Sequence, residues 1–118
     1  MHKRLKVVTE RGIEILVVDL AGLSPDEILE IFPEITALSL SKKIRYNIFD
    51  ITDTQTTAEI KDASKKSIAE VEKVVGRVYI SLIGLRGIQK LIANAISKNS
   101  YFASDYQDAL DWLVKMSK

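Results

Sequence analysis

The sequence predicts an α/β fold, a mostly parallel mixed sheet covered by helices in the order ββαβαβαβα. Three observations carry this. Apolar, strand-like runs ("LKVVTE", "IEILVVDL", "IRYNIFDI", "RVYISLIG") recur along the chain. All but the first pair are separated by segments of helical period, and parallel strands require such crossovers. The first two runs are joined by Arg11 and Gly12 alone, a spacing that fits only an antiparallel hairpin.

Each element has its own signal. Gly12 can take the positive φ that a two-residue hairpin turn needs. The second run is apolar on both faces through Ile15, Leu16, Val17 and Val18, as expected of a strand inside a covered sheet. Ser24, Pro25 and Glu27 form a capping box with proline at the first helical position. The helix they open carries Ile28, Ile31, Phe32 and Ile35 on one stripe. Pro33 lacks an N–H and crowds the carbonyl of Leu29, which predicts a kink or a restart.

The third strand spans 44–51. A helix over roughly 56 to 75 follows, with a stripe of Ile60, Ala63, Ile68, Val71 and Val75 and with Gly76 as a left-handed cap. After the fourth strand, Ile88, Leu91, Ile92, Ala95 and Ile96 have clean helical spacing. Leu91 is therefore expected in the core. A short strand around Tyr101–Ala103 precedes a last helix boxed by Ser104 and Gln107, with Ala109, Leu110, Leu113 and Met116 on its stripe. The whole chain, 1–118, reads as a single domain of ordinary size.

Composition narrows function by exclusion. Seventeen Lys and Arg face 16 Asp and Glu, so the charge offers no footprint for nucleic acid or an anionic membrane. Cysteine is absent, which rules out disulfides and thiolate metal sites. No apolar run approaches the roughly 20 residues of a membrane span. The opening "MHKRLKVVTE" lacks a signal-peptide apolar core. A cytoplasmic protein is expected. His2 is the only histidine, so neither a Ser-His-Asp triad nor a multi-histidine metal site can be assembled.

Three groups could still carry chemistry. Gly84, Arg86 and Gly87 lie between a strand and a helix, where phosphates are often held. The spacing fits neither a G-x-x-x-x-G-K-[ST] loop nor G-x-G-x-x-G. The glycines read first as turn and close packing, with Arg86 keeping an anion site in view. Asp19, Asp50 and Asp53 fall near the ends of strands two and three, where ligands of open α/β sheets gather. The expected role there is a solvated or helix-capping carboxylate. Thr52, Thr54, Thr56 and Thr57 cluster before a helix, with Thr56 and Glu59 placed as another box and phosphorylation as the alternative. Trp112 and Tyr106 are expected in the core or at an interface.

Taken together, "ILVVDLAGLSPDEILEI", "FDITDTQTTAEIK", "SLIGLRGIQKLIANAI" and "DYQDALDWLVK" resemble the STAS-like superfamily, most closely its small stand-alone branch grouped with STAS and CRAL-TRIO domains. The resemblance implies a non-enzymatic regulatory or protein-interaction module without a cofactor. Anti-sigma-factor antagonists in this superfamily bind a kinase through the loop after strand three and the next helix. Their phosphorylatable serine lies there in an Asp-Ser-Ser-Gly-type motif. Here the region reads "DITDTQTTAEI", with neither serine nor glycine.

The resemblance marks Asp53, Thr54, Thr56 and Thr57 as partner-binding or phospho-switch candidates, with a regulatory kinase or sigma-factor regulator as partner and a homodimer compatible with it. The alternative is a domain that binds a small apolar or anionic ligand between helices and sheet. An enzyme is not expected, because no acid–base or nucleophile set is visible.

Overall fold

The computed structural model describes residues 3–55, 57–84 and 99–118. They form a five-stranded sheet whose strands lie side by side in chain order: β1 (Leu5–Glu10), β2 (Ile13–Asp19), β3 (Tyr46–Asp50), β4 (Tyr79–Ile83) and β5 (Ser100–Ala103). β1 runs antiparallel to β2, and all later pairs are parallel. Among the described residues the helices are α1 (Pro25–Lys42), α2 (Ala58–Val75) and α3 (Tyr106–Met116). The expected core positions Ile88, Leu91, Ile92, Ala95 and Ile96 lie outside the described residues.

The hairpin between β1 and β2 turns through Arg11 at φ 47° and Gly12 at φ 86°. Two successive positive φ values are what a type I′ turn requires, and its twist matches that of the strands. α1 begins as expected. The Ser24 hydroxyl accepts from Glu27 N–H at 3.3 Å, and the Glu27 carboxylate accepts from Ser24 N–H at 3.1 Å. That second bond holds the Glu27 carboxyl below its ordinary pKa.

Several local expectations are corrected. α1 does not restart at Pro33 but continues to Lys42. The proline lies on the exposed side, where the unpaired Leu29 carbonyl can turn toward water. β3 is shorter than the expected 44–51. Thr57, not Thr56, caps α2, its hydroxyl accepting from Ile60 N–H at 3.1 Å. Thr56 itself lies outside the described residues. Gly76 has the expected positive φ, 88°, but a ψ of −149° outside the left-handed helical region. α3 is capped by Asp105, which accepts from Asp108 N–H at 2.8 Å, rather than by Ser104 and Gln107. Asp108 in turn accepts from Ser104 N–H at 2.9 Å. Aspartate bonds the exposed N–H groups of a first turn as well as serine does, and its charge suits the helix dipole.

Two cores result, one on each face of the sheet. α1 and α2 bury Ile28, Ile31, Phe32, Ile35, Ile60 and Val71 against Leu16, Val18, Phe49 and Ile80. α3 buries Ala109, Leu110, Leu113 and Val114 against Ile15, Ile48 and Ala103. Beside that second core stands a chain of rings. Tyr46 stacks on Tyr79, Tyr79 meets the edge of Trp112, and Trp112 stacks on Tyr101 at 5.2 Å. Trp112 is thus half-buried at a rim, while Tyr106, expected in the core or at an interface, is 38% exposed. Arg11, at the hairpin tip, forms an ion pair with Asp111 on α3.

Candidate partner-binding site

The loop between β3 and α2 is built around Asp50, the last residue of β3. Its Oδ1 accepts from the Thr52 N–H at 3.1 Å and from the Thr52 hydroxyl at 2.7 Å. This closes a tight turn on the strand end, a local habit of aspartate. Both neighbouring strand ends then grip the turn. Gly22 N–H, after β2, donates to Thr52 O at 2.9 Å, and Ile51 N–H donates to Ile83 O of β4 at 2.9 Å.

Gly84 completes the clamp from the other side. At φ 91° it sits so close to Thr52 that a Cβ would lie 2.7 Å from Thr52 N and 2.8 Å from Thr52 Cα, colliding with the hydroxyl as well. Any side chain would need both a disfavoured backbone and a displaced Thr52. The turn expected at Gly84 therefore packs against a specific residue, Thr52. Arg86 and Gly87 lie outside the described residues.

The threonines of the cluster have different roles. Thr54 is 6% exposed, and its hydroxyl donates to Ile51 O at 2.6 Å. Thr57 is half-buried and occupied as the α2 cap. Asp53 is exposed at φ 55°, left-handed backbone that a short polar side chain tolerates. Gln55 is exposed beside it. Asp53, Gln55 and Thr57 thus follow one another along a loop whose inner side is fixed by Asp50, Thr52, Thr54 and Gly84.

Of the solvated or helix-capping roles expected of these aspartates, Asp19 has the first, being exposed, while Asp50 is half-buried and caps no helix. Asp19 accepts from Ala21 N–H at 3.1 Å and faces Arg4 at 3.7 Å. The dominant position of Asp50 and Thr52 was not singled out from the sequence. Its signal was the Asp-x-Thr spacing in "DIT" at a strand end, which reads equally well as a generic polar helix start.

Beside this loop, at the carboxyl ends of the strands, lies a cleft of about 490 Å³. Val17, Ile48 and Ile83 are among its apolar lining, Lys3, Arg4 and Lys6 among its basic side chains, and Asp19, Asp50 and Asp105 among its acidic ones. Among the described residues no cluster of three or more His, Cys, Asp or Glu is placed to hold a metal ion. None of the described helices is long and apolar enough to cross a membrane.

No family model matches the chain, and no curated protein matches it. Among solved structures it is similar to RsbS of Moorella thermoacetica, in a form carrying a serine-to-glutamate substitution. The TM-score is 0.65 at 13% identity, and the match covers 98% of each chain. The fold is STAS-like, as the sequence resemblance implied. At that identity the likeness defines the architecture, a sheet with helices on both faces, and leaves the chemistry of the loop to be argued from its own residues.

Proposed function

We propose that this chain is a single regulatory STAS-like domain, 1–118, that binds a protein partner through the loop after β3 and the start of α2. It acts by presenting a surface rather than by catalysis, and it needs no cofactor. RsbS, the structural neighbour, is an anti-sigma-factor antagonist, and a regulatory kinase or sigma-factor regulator is the corresponding partner class here. The observation that carries the reading is the clamped loop. Three neighbouring strand ends fix its inner side, so Asp53, Gln55 and Thr57 are offered in one arrangement, which lowers the ordering cost of docking.

Among the phospho-switch candidates described, Thr57 is the one that modification could reach. It stands at a helix start, where N–H groups and the dipole favour an added phosphate. The Thr54 hydroxyl is enclosed and engaged.

The small-ligand alternative has less support. Between α1, α2 and the sheet the remaining void is about 20 Å³, room for one water and not for an acyl chain. In the cleft at the strand ends, an anion drawn by Lys3 and Lys6 would also meet three carboxylates.

The test is capture of a partner by the full chain, followed by calorimetry with Asp53→Lys and Thr57→Glu. Each is expected to weaken binding at least about tenfold, a loss of about 1.4 kcal/mol. The midpoint of thermal unfolding should move by only a few degrees. Parent-like binding by both variants would place the partner elsewhere.

A further inference from the structure

We propose that β1 is a self-association edge. Two copies of this chain would pair β1 with β1, antiparallel about a two-fold axis at Val8, joining their sheets into one. The argument begins with backbone groups. Asp19 N–H donates to Arg4 O at 2.9 Å, which makes Arg4 and Asp19 a hydrogen-bonded pair of the β1–β2 ladder. Such pairs alternate in an antiparallel ladder, so Lys6, Val8 and Glu10 also turn their backbone groups toward β2. Those of Leu5, Val7 and Thr9 point outward. Among the described residues β1 is the first strand in the sheet order and has no neighbour on that side. It contains neither proline nor a bulge, two of the means by which an edge is blunted, and its charges, Lys6 and Glu10, are of opposite sign.

Side chains then choose the occupant and the register. Lys6, Val8 and Glu10 share one face, with opposite charges placed symmetrically about a half-buried valine. Neither Lys6 nor Glu10 forms an ion pair among the described residues. With Val8 opposite Val8 of a second copy, Lys6 of each chain faces Glu10 of the other. The outward groups of Val7 then pair with those of Thr9. Directly opposed charges of unlike sign favour a strand pair, and like ones disfavour it.

Sliding the axis to Val7 keeps the hydrogen-bonding parity but sets Lys6 against Val8 and Arg4 against Glu10. That would draw Arg4 away from Asp19 and from the Ala21 carbonyl, to which it donates at 3.2 Å. The opposite edge, β5, is shorter, at four residues. The pattern on β1 is complementary to itself, so the partner it fits is a second copy, in an isologous contact.

Sedimentation of the full chain at ~100 μM should show a dimer, with dissociation constants for Lys6→Glu and Glu10→Lys each raised at least about tenfold. The double reversal Lys6→Glu/Glu10→Lys recreates the opposed charges with sign exchanged and should recover the dimer. Thr9→Pro removes an outward N–H that β2 does not use, and proline is tolerated at such an edge. It should leave a folded monomer by circular dichroism. A parent chain that stays monomeric overturns the proposal. So does a dimer indifferent to both reversals, because its interface would then lie elsewhere.

Discussion

The two faces of the sheet solve the same burial problem differently. Among the described residues the α1–α2 face has two helices to cover it, and its core admits polar groups. Ser39, Asn47 and Ser67 are buried there, each within reach of a partner. The Ser67 and Thr36 hydroxyls are 2.6 Å apart, Asn47 donates to Tyr79 O at 3.3 Å, and among the described residues no buried side-chain polar atom lacks a partner. The α3 face has one helix among the described residues. Its centre is sealed by Ile15, Ile48 and Leu113, each at 1% exposure or less. Towards the strand beginnings the cover passes to Tyr46, Tyr79, Tyr101 and Trp112, whose rings reach farther than aliphatic side chains. The α3 face buries a polar group as well: Ser81 is fully buried and donates its hydroxyl to Ala109 O on α3 at 3.2 Å. Large rings at the rim extend the cover that α3 gives this face.

Leu113→Ala is the severest challenge to this contrast. Leu113 is fully buried in the α3 core, so its truncation should cost about 3–5 kcal/mol in denaturant unfolding, the upper part of the range for a core leucine. A loss below about 1 kcal/mol would mean that α3 does not seal its face. Trp112→Phe keeps a ring but shortens the aromatic chain and should cost about 1–2 kcal/mol, with a changed near-ultraviolet spectrum. On the other face, Ser67→Ala should cost no more than about 1 kcal/mol. The Thr36 hydroxyl would keep its bond to Phe32 O at 3.0 Å, so no buried group would be orphaned. A larger loss would show that the polar seam of the first core is as intolerant as the second.

The smallest effect is a pH dependence at the rim. Ser104 N–H first, and then the Tyr101 hydroxyl, hold the Asp108 carboxyl below its ordinary pKa. A group whose folded pKa is depressed contributes stability above its unfolded pKa and loses it as pH falls through the folded value. Stability tied to Asp108 should therefore fade only on the acid side. In an NMR titration, Tyr101→Phe should raise the Asp108 midpoint while leaving it below the ordinary aspartate value, because the Ser104 bond remains. An unchanged midpoint would remove Tyr101 from the network.

Most of the architecture was legible because it rests on periodicity. The Ile28–Ile35 stripe, the Arg11–Gly12 hairpin and the alternation of strands and helices are local signals, and among the described residues each lies where expected. What was misread depended on competition between nearby residues. Thr56 and Thr57, like Ser104 and Asp105, are neighbouring candidate caps, and backbone geometry chooses between them. Pro33 read as a break because the sequence does not say that its side of the helix faces water. The loop after β3 was visible as a threonine cluster. Its organising contact joins Thr52 to Gly84, a pairing across strands that no local pattern announces. Ser67, on the buried stripe of α2, was unexpected for the same reason, since its partner lies on α1.

The order of the strands bears on synthesis. Because each strand lies beside the one made just before it, no strand has to be inserted between two that have already paired. As the chain leaves the ribosome the sheet can grow outward from the β1–β2 hairpin, one crossover at a time. Little open edge then waits for a distant segment to arrive. α3 follows β5, and the pairing of its Asp111 with Arg11, a hundred residues earlier in the chain, is a contact that must wait until β1 to β5 have all been made.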